Sequence, residues 1–193
     1  MSIKRTRALT WLACAGLLVM MIGAPGGAEA KELSDRSVKV LMQYAWAILP
    51  NKFTAPTGKV IKVDKSKKKE NMVPIDKARQ VVKVARLSAH AQICNLAEAQ
   101  TLNFRTLMRS ESRAKKWTEQ QMLYIQQLHL FTVLWLTGNV KLVDRGCDKD
   151  VVVNENAGGG SENTCTEAEK TKVSKSIAAY VCRTDPKSVE GCS

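Results

Sequence analysis

Residues 74–138 read PIDKARQVVKVARLSAHAQICNLAEAQTLNFRTLMRSESRAKKWTEQQMLYIQQLHLFTVLWLTG, and the spacing of the apolar residues in this stretch decides the fold. Ala78, Val82, Ala85, Ala89 and Ile93 recur at steps of three and four, which places them on one face of a helix opened by Pro74 in its first turn. Lys77, Arg79, Lys83 and Arg86 fall on the opposite, wet face. Asn95 followed by Glu98 has the spacing of a capping box, predicting a second helix from Leu96 with Leu96, Ala99, Phe104, Leu107 and Met108 on its buried side. Its end is rich in cations, Arg109, Arg113, Lys115 and Lys116, where the helix dipole is negative. The third start is Thr118 as N-cap with Gln121 as its reciprocal partner, and Trp117 is placed to pack on Met122. From Met122 to Leu136 apolar residues cover more than one face, which predicts the central helix of a bundle, ended by Thr137, Gly138 and Asn139.

Outward from this stretch, the amino-terminal side begins with Lys4, Arg5 and Arg7 ahead of an apolar run from Ala8 to Ile22, closed by Ala28, Glu29 and Ala30. That is the pattern of a cleaved secretory signal over residues 1–30, too short to span a bilayer, which needs about 20 apolar residues. Trp11, Leu12 and Ala13 before Cys14 make a poor lipobox. The expected mature chain, residues 31–193, is one exported domain, periplasmic or secreted, with no transmembrane span. Losing Lys4, Arg5, Arg7 and Glu29 takes the formal charge from +12 to +10.

Ser34 caps an expected helix from Asp35 to Ile48 with Val38, Leu41, Ala45 and Ile48 inward, flanked by Tyr44 and Trp46 and stopped by Pro50. Pro56, Thr57 and Gly58 lie between Phe53 and the run Val60, Ile61, Val63, the pattern of a short β-ribbon. Lys65, Lys67, Lys68 and Lys69 then predict an exposed, mobile basic loop and the first contacts for an anionic partner. After the central helix, Val140–Val143 and Val151–Val153 suggest a second hairpin bent at Gly146 and Cys147. Residues 154–163 read as a flexible linker, and Thr166 with Glu169 caps a last helix with Val173, Ile177 and Tyr180 inward, before an irregular carboxy-terminal tail. The fold expectation is mainly α: an irregular bundle of about five helices with one or two short β-ribbons.

Five cysteines remain after the signal, and an oxidising compartment favours their pairing. A helix between Cys165 and Cys182 would separate them by about 25 Å, well past the reach of a disulfide, about 7 Å between Cα atoms. The preferred pairing is Cys94 with Cys165 and Cys182 with Cys192, leaving Cys147 on the hairpin tip. A Cys147–Cys165 bridge is the competing arrangement.

The sequence names no catalytic, cofactor or metal residues. His90 and Cys94 are four apart on one helix, but two ligands do not make a metal site, and the chain contains neither a Cys-x-x-Cys motif nor a phosphate-cradling glycine loop. Ser88 and His90 point in different directions on a helix, His129 lies among Ile125, Leu128 and Phe131 as a packed histidine, and Glu111 with Glu119 merely flank a polar turn. The aromatics sit at core positions rather than among the lysines, which argues against nucleic acid as partner. The functional expectation is a non-catalytic exported protein that binds a partner, an unidentified protein or an anionic envelope surface or polymer. An enzyme with a dispersed site and a structural or stress-protective envelope protein are the alternatives. Amino-terminal sequencing of the exported protein is expected to start at Lys31; an intact Met1 in the membrane fraction would contradict the signal assignment.

Overall fold

The computed structural model describes residues 33–140, 143–145, 150–152, 165–187 and 192. The signal segment, Cys147, the 154–163 linker and most of the tail beyond 187 lie outside the described residues. Among these residues are five long helices, one four-residue helix and two short antiparallel ribbons.

Helix α1, Asp35–Ile48, starts where the Ser34 side chain accepts from the Ser37 amide. Val38, Leu41 and Ala45 are buried as their spacing predicts, and Met42 and Trp46 join them. Ile48 does not: it is 48% exposed, and Leu49 takes the inward position at 2%. Once Met42 and Trp46 share the inner face, that face continues to Leu49, and Ile48 lies about 100° round the helix from it. Strands β1, Lys52–Thr54, and β2, Val60–Lys62, pair with Phe53 opposite Ile61. Their turn closes through Gly58 at φ +81°, a conformation glycine adopts without a Cβ clash.

The lysine run is not a mobile loop. Asp64 accepts from the Ser66 amide and hydroxyl, starting a single 3-10 turn at Lys65–Lys67 that leads into α2, Lys68–Asn71. Lys65 Nζ donates to the Trp46 carbonyl at 2.6 Å and lies 4.8 Å from the centre of the Trp46 ring. Lys67 faces Glu70, and Lys68 donates to Gln43. Local capping and a neighbouring aromatic thus tether side chains that composition alone marks as solvated.

Helix α3, Ile75–Ile93, packs against α1, α4, α5 and α6, and the more apolar α5, Glu119–Leu136, packs against α1, α2, α3 and α4, so the two share the centre of the bundle. The reason is side-chain size. Ala78, Ala85, Ala89 and Ala91 are fully buried, with Ser88 and three valines between them, and these short side chains let several helices approach one axis. Helix α5 supplies the bulk that fills the space: Leu123, Tyr124, Ile125, Leu128, Phe131 and Trp135 are buried. Tyr124 donates to the Met42 carbonyl at 3.0 Å, and Phe131 stacks on Tyr44.

The expected Asn95 cap is absent. Asn95 adopts φ +57°, and the amides of Asn95 and Leu96 bond back to the Gln92 and Ala91 carbonyls, so this residue terminates α3 instead of starting α4. Asparagine tolerates the left-handed region, and a residue held there cannot also take the extended conformation of an N-cap. Helix α4, Ala97–Ala114, therefore starts from Leu96 without a side-chain cap. Thr118 and Gln121 do form the expected reciprocal box at the start of α5.

The second ribbon pairs β3, Val143–Arg145, with β4, Asp150–Val152. It starts later than Val140, whose amide bonds back to the Leu134 carbonyl at the end of α5. Helix α6, Glu167–Thr184, carries the Thr166–Glu169 box and lays Ile177 and Val181 on Ala91, with Val173 and Tyr180 half-buried beside them. Cys94 and Cys165 lie at disulfide distance, Cα atoms 5.1 Å apart, as do Cys182 and Cys192. A bridge across a separation of 71 residues is worth about 4 kcal/mol by the loop-entropy relation, a large part of a domain's net stability. Cys94→Ser and Cys165→Ser should each lower the melting temperature markedly and equally, with the double mutant little worse. Clearly unequal losses, or a Cys147–Cys165 peptide in a non-reducing digest, would contradict the pairing.

Candidate functional site

Among the described residues polar groups meet at a closed place inside the bundle, at a cleft beside His90 and at an open groove. The closed one lies between α3, α4 and α5. Asn103, fully buried, donates through Nδ2 to the Val84 carbonyl and to Ser88 Oγ, both at 2.9 Å. Ser88 Oγ is 3.0 Å from His129 Nε2. The serine hydroxyl, which can accept from Asn103 and also either donate to Nε2 or accept from Nε2–H, suits a neutral imidazole in either tautomer. Burial agrees with this protonation state, depressing the His129 pKa to about 4, and the Phe104 ring covers the imidazole at 4.9 Å. A serine and a histidine in contact suggest a nucleophile and its base. Ser88 is 0% exposed, however, so no substrate carbonyl can reach it, and the pair belongs to a core network in which Asn103 Oδ1 is left without a partner. Ser88 thus meets His129, 41 residues away, and not its sequence neighbour His90.

His90 is exposed at the side of a cleft of about 510 Å³ with Glu169, Lys172, Ser176 and the Cys94–Cys165 pair. Burial, then Arg86 and Lys172, hold its pKa below the usual histidine value. The groups that could work with it are already engaged: Glu169 bonds to Thr166, and Ser176 donates to the Lys172 carbonyl. Cys94 stands in the disulfide rather than beside His90 as a ligand. Among the described residues no group of three or more His, Cys, Asp or Glu could hold a metal ion, and no helix is long and apolar enough to cross a membrane.

The open site lies where α4 ends and α5 begins. Helices α4 and α5 both pack on α3 and touch each other little, and the β1–β2 ribbon lies beside the short turn that joins them. The resulting groove, about 560 Å³, has apolar walls from Phe53, Ile61, Met108, Trp117, Met122 and Leu123. Met108, Ser112 and Met122 continue its floor into an adjoining cleft of about 460 Å³ bordered by Arg109 and Arg113. Its two carboxylates are each matched within the protein. Glu111, buried, accepts from Lys77 Nζ at 2.9 Å and from Trp117 Nε1 at 2.7 Å, and Glu119 pairs with Lys59.

Cations are not so matched. Arg105, Arg109 and Arg113 follow one another at intervals of four along the exposed face of α4, and Lys115 and Lys116 follow just past its last residue. Arg113 pairs with Asp185, whose carboxyl that guanidinium's hydrogen bond holds below the usual range. Arg105, Lys115 and Lys116 make no ion pair among the described residues. Lys115 occupies the left-handed region at φ +50°, a position that favours glycine, and it borders the groove. The expected contacts Lys65, Lys67 and Lys68 are instead tied to Trp46, Glu70 and Gln43, leaving Lys69 alone of the four without a hydrogen bond or ion pair among the described residues. The arginine stripe carried a signal in the sequence, its four-residue spacing, obscured there by reading those cations as helix-end charges. Comparison with protein-family models, curated proteins and solved structures finds no match to this chain.

The buried His129 yields a pH prediction. Above pH 6.5 the residue is neutral whether the chain is folded or unfolded, so its full contribution is present. As pH falls from 6.5 toward 4 the unfolded chain binds a proton that the folded one refuses, and stability falls by on the order of 3 kcal/mol. His129→Gln should flatten the loss between pH 6.5 and 4 relative to the wild type; equal slopes in urea titrations across this range would show that His129 is not the group responsible.

Proposed function

We propose that this chain is an exported, non-catalytic helical protein that binds an anionic surface of the cell envelope through the cationic end of α4. The observation that carries the reading is the cationic end of α4: Arg105, Arg109 and Arg113 share its exposed face and Lys115 and Lys116 follow at its end, while Glu111, the acidic residue among them, turns inward to Lys77. With Glu111 matched internally and, among the described residues, only Arg113 of these bases in an ion pair, the surface presents a positive field to an approaching partner. The excess of 30 Lys and Arg over 18 Asp and Glu points the same way. In support of binding over chemistry, the serine–histidine contact is sealed in the core, and the partners that line the His90 cleft are occupied in helix capping and a disulfide.

Each basic residue near an anionic membrane contributes about 1 kcal/mol, an effect that salt screens. Sedimentation with vesicles containing phosphatidylglycerol should therefore retain the mature protein in low salt and release it in high salt, with phosphatidylcholine vesicles as the neutral control. Replacing Arg105, Arg109 and Lys115 together by serine should weaken retention more than tenfold. Equal binding to neutral vesicles, or no effect of the triple substitution, would contradict the reading.

A further inference from the structure

The α4–α5 groove combines an apolar channel with a lysine in its wall, Lys115, and an arginine, Arg109, on the cleft that adjoins it, a pairing that a purely electrostatic surface does not need. We propose that it is a binding site for a single-chain anionic amphiphile, with the alkyl chain along Met108 and Met122 and the anionic head at Arg109 and Lys115. This rests on the reading that the basic end of α4 meets anions, and it goes further by naming the class of molecule and where each part lies.

The walls supply the apolar half. Phe53 and Ile61 from the ribbon face Met108, Met122 and Leu123 across a space of about 560 Å³, within the usual span for small-molecule sites, about 300–1,000 Å³. Methionine suits a flexible chain because its unbranched, polarisable side chain adapts to an irregular occupant. The Trp117 ring borders the same channel, held in orientation by its hydrogen bond to Glu111 Oε2. Charge complementarity selects the head group. Lys115 lies in the groove wall itself, and Arg109 borders the adjoining cleft that shares the Met108, Ser112 and Met122 floor. The two carboxylates in the wall, Glu111 and Glu119, are neutralised by Lys77 and Lys59, so neither offers an uncompensated charge to a cationic head. A free acyl anion fits these features together. A phosphate or sulfate without a chain would leave the apolar walls unused, and a neutral lipid would leave the cations unused.

The test is titration of the mature protein with decanoate below its micelle-forming concentration. Acetate and decyltrimethylammonium serve as controls for charge without chain and chain without anionic charge. Methyl-labelled methionine resonances report the place: Met108 and Met122 should shift on adding decanoate, while Met42, buried against α3 and α5, should not. Decanoate should bind at least tenfold more tightly than either control, and Arg109→Ser with Lys115→Ser should weaken it about tenfold. Met122→Glu should abolish binding; the methionine shifts in wild-type protein keep the assignment testable should that variant unfold. Equal affinity for acetate, equal affinity for the cationic amphiphile, or shifts spread over all methionines would overturn it. Decanoate binding that persists while vesicle binding fails would sink the membrane reading alone, and vesicle binding without decanoate binding would sink the groove assignment alone.

Discussion

The Glu111 carboxylate joins three parts of the chain: α3, the end of α4 and the turn into α5. One oxygen accepts from Lys77 on α3 and the other from Trp117 in the turn between α4 and α5, so the end of α4 is fixed to the bundle beside the groove. The carboxylate side chain is 9% exposed and its lysine partner 21%, which puts the pair where attraction is little screened and where removing either charge strands the other. Without this tie Lys115, whose left-handed backbone already stores strain, and Trp117 would have no fixed position, and the groove would lose a wall.

Packing elsewhere follows from a division of labour between two helices. Helix α3 offers alanine, valine and serine to its neighbours, and α5 offers leucine, tyrosine, phenylalanine and tryptophan. Short side chains on one and long ones on the other let α4 and α5 both pack closely on α3 while touching each other little. The same geometry brings Ser88, Asn103 and His129 together, and the network is tolerated in the core because each member bonds to another. The groove and the polar network thus share one origin in the small face of α3.

Much of this architecture was legible in the sequence because it is written in local signals. The boxes at Thr118 and Thr166, the Ser34 cap, the Gly138 stop and the Phe53–Ile61 ribbon all depend on residues a few positions apart. What escaped depends on distant partners. Asn95 satisfies two local patterns, a cap and a left-handed stop, and only packing of α3 against α4 chooses between them. Lys65 looked solvated until Trp46, 19 residues away, came beneath it. Glu111 looked like one member of a surface pair with Glu119, whereas its partner Lys77 is 34 residues upstream on another helix. The candidate site escaped for the same reason: its walls come from a ribbon, the end of one helix and the start of the next.

Function then reads as a consequence of where charge is used up. Beside the groove Glu111 and Glu119 pair within the fold, whereas Arg105, Lys115 and Lys116 make no ion pair among the described residues, and it is there that the proposed anionic partner would meet them. The account depends on the Glu111–Lys77 tie more than on any other contact, and a double-mutant cycle measures it directly. With Lys77→Met, Glu111→Leu and the double variant in urea unfolding, each single change should be clearly destabilising, and the double should cost less than their sum by about 2 kcal/mol or more. Costs that simply add, within about 0.5 kcal/mol, would contradict the claim that this buried pair holds the groove together.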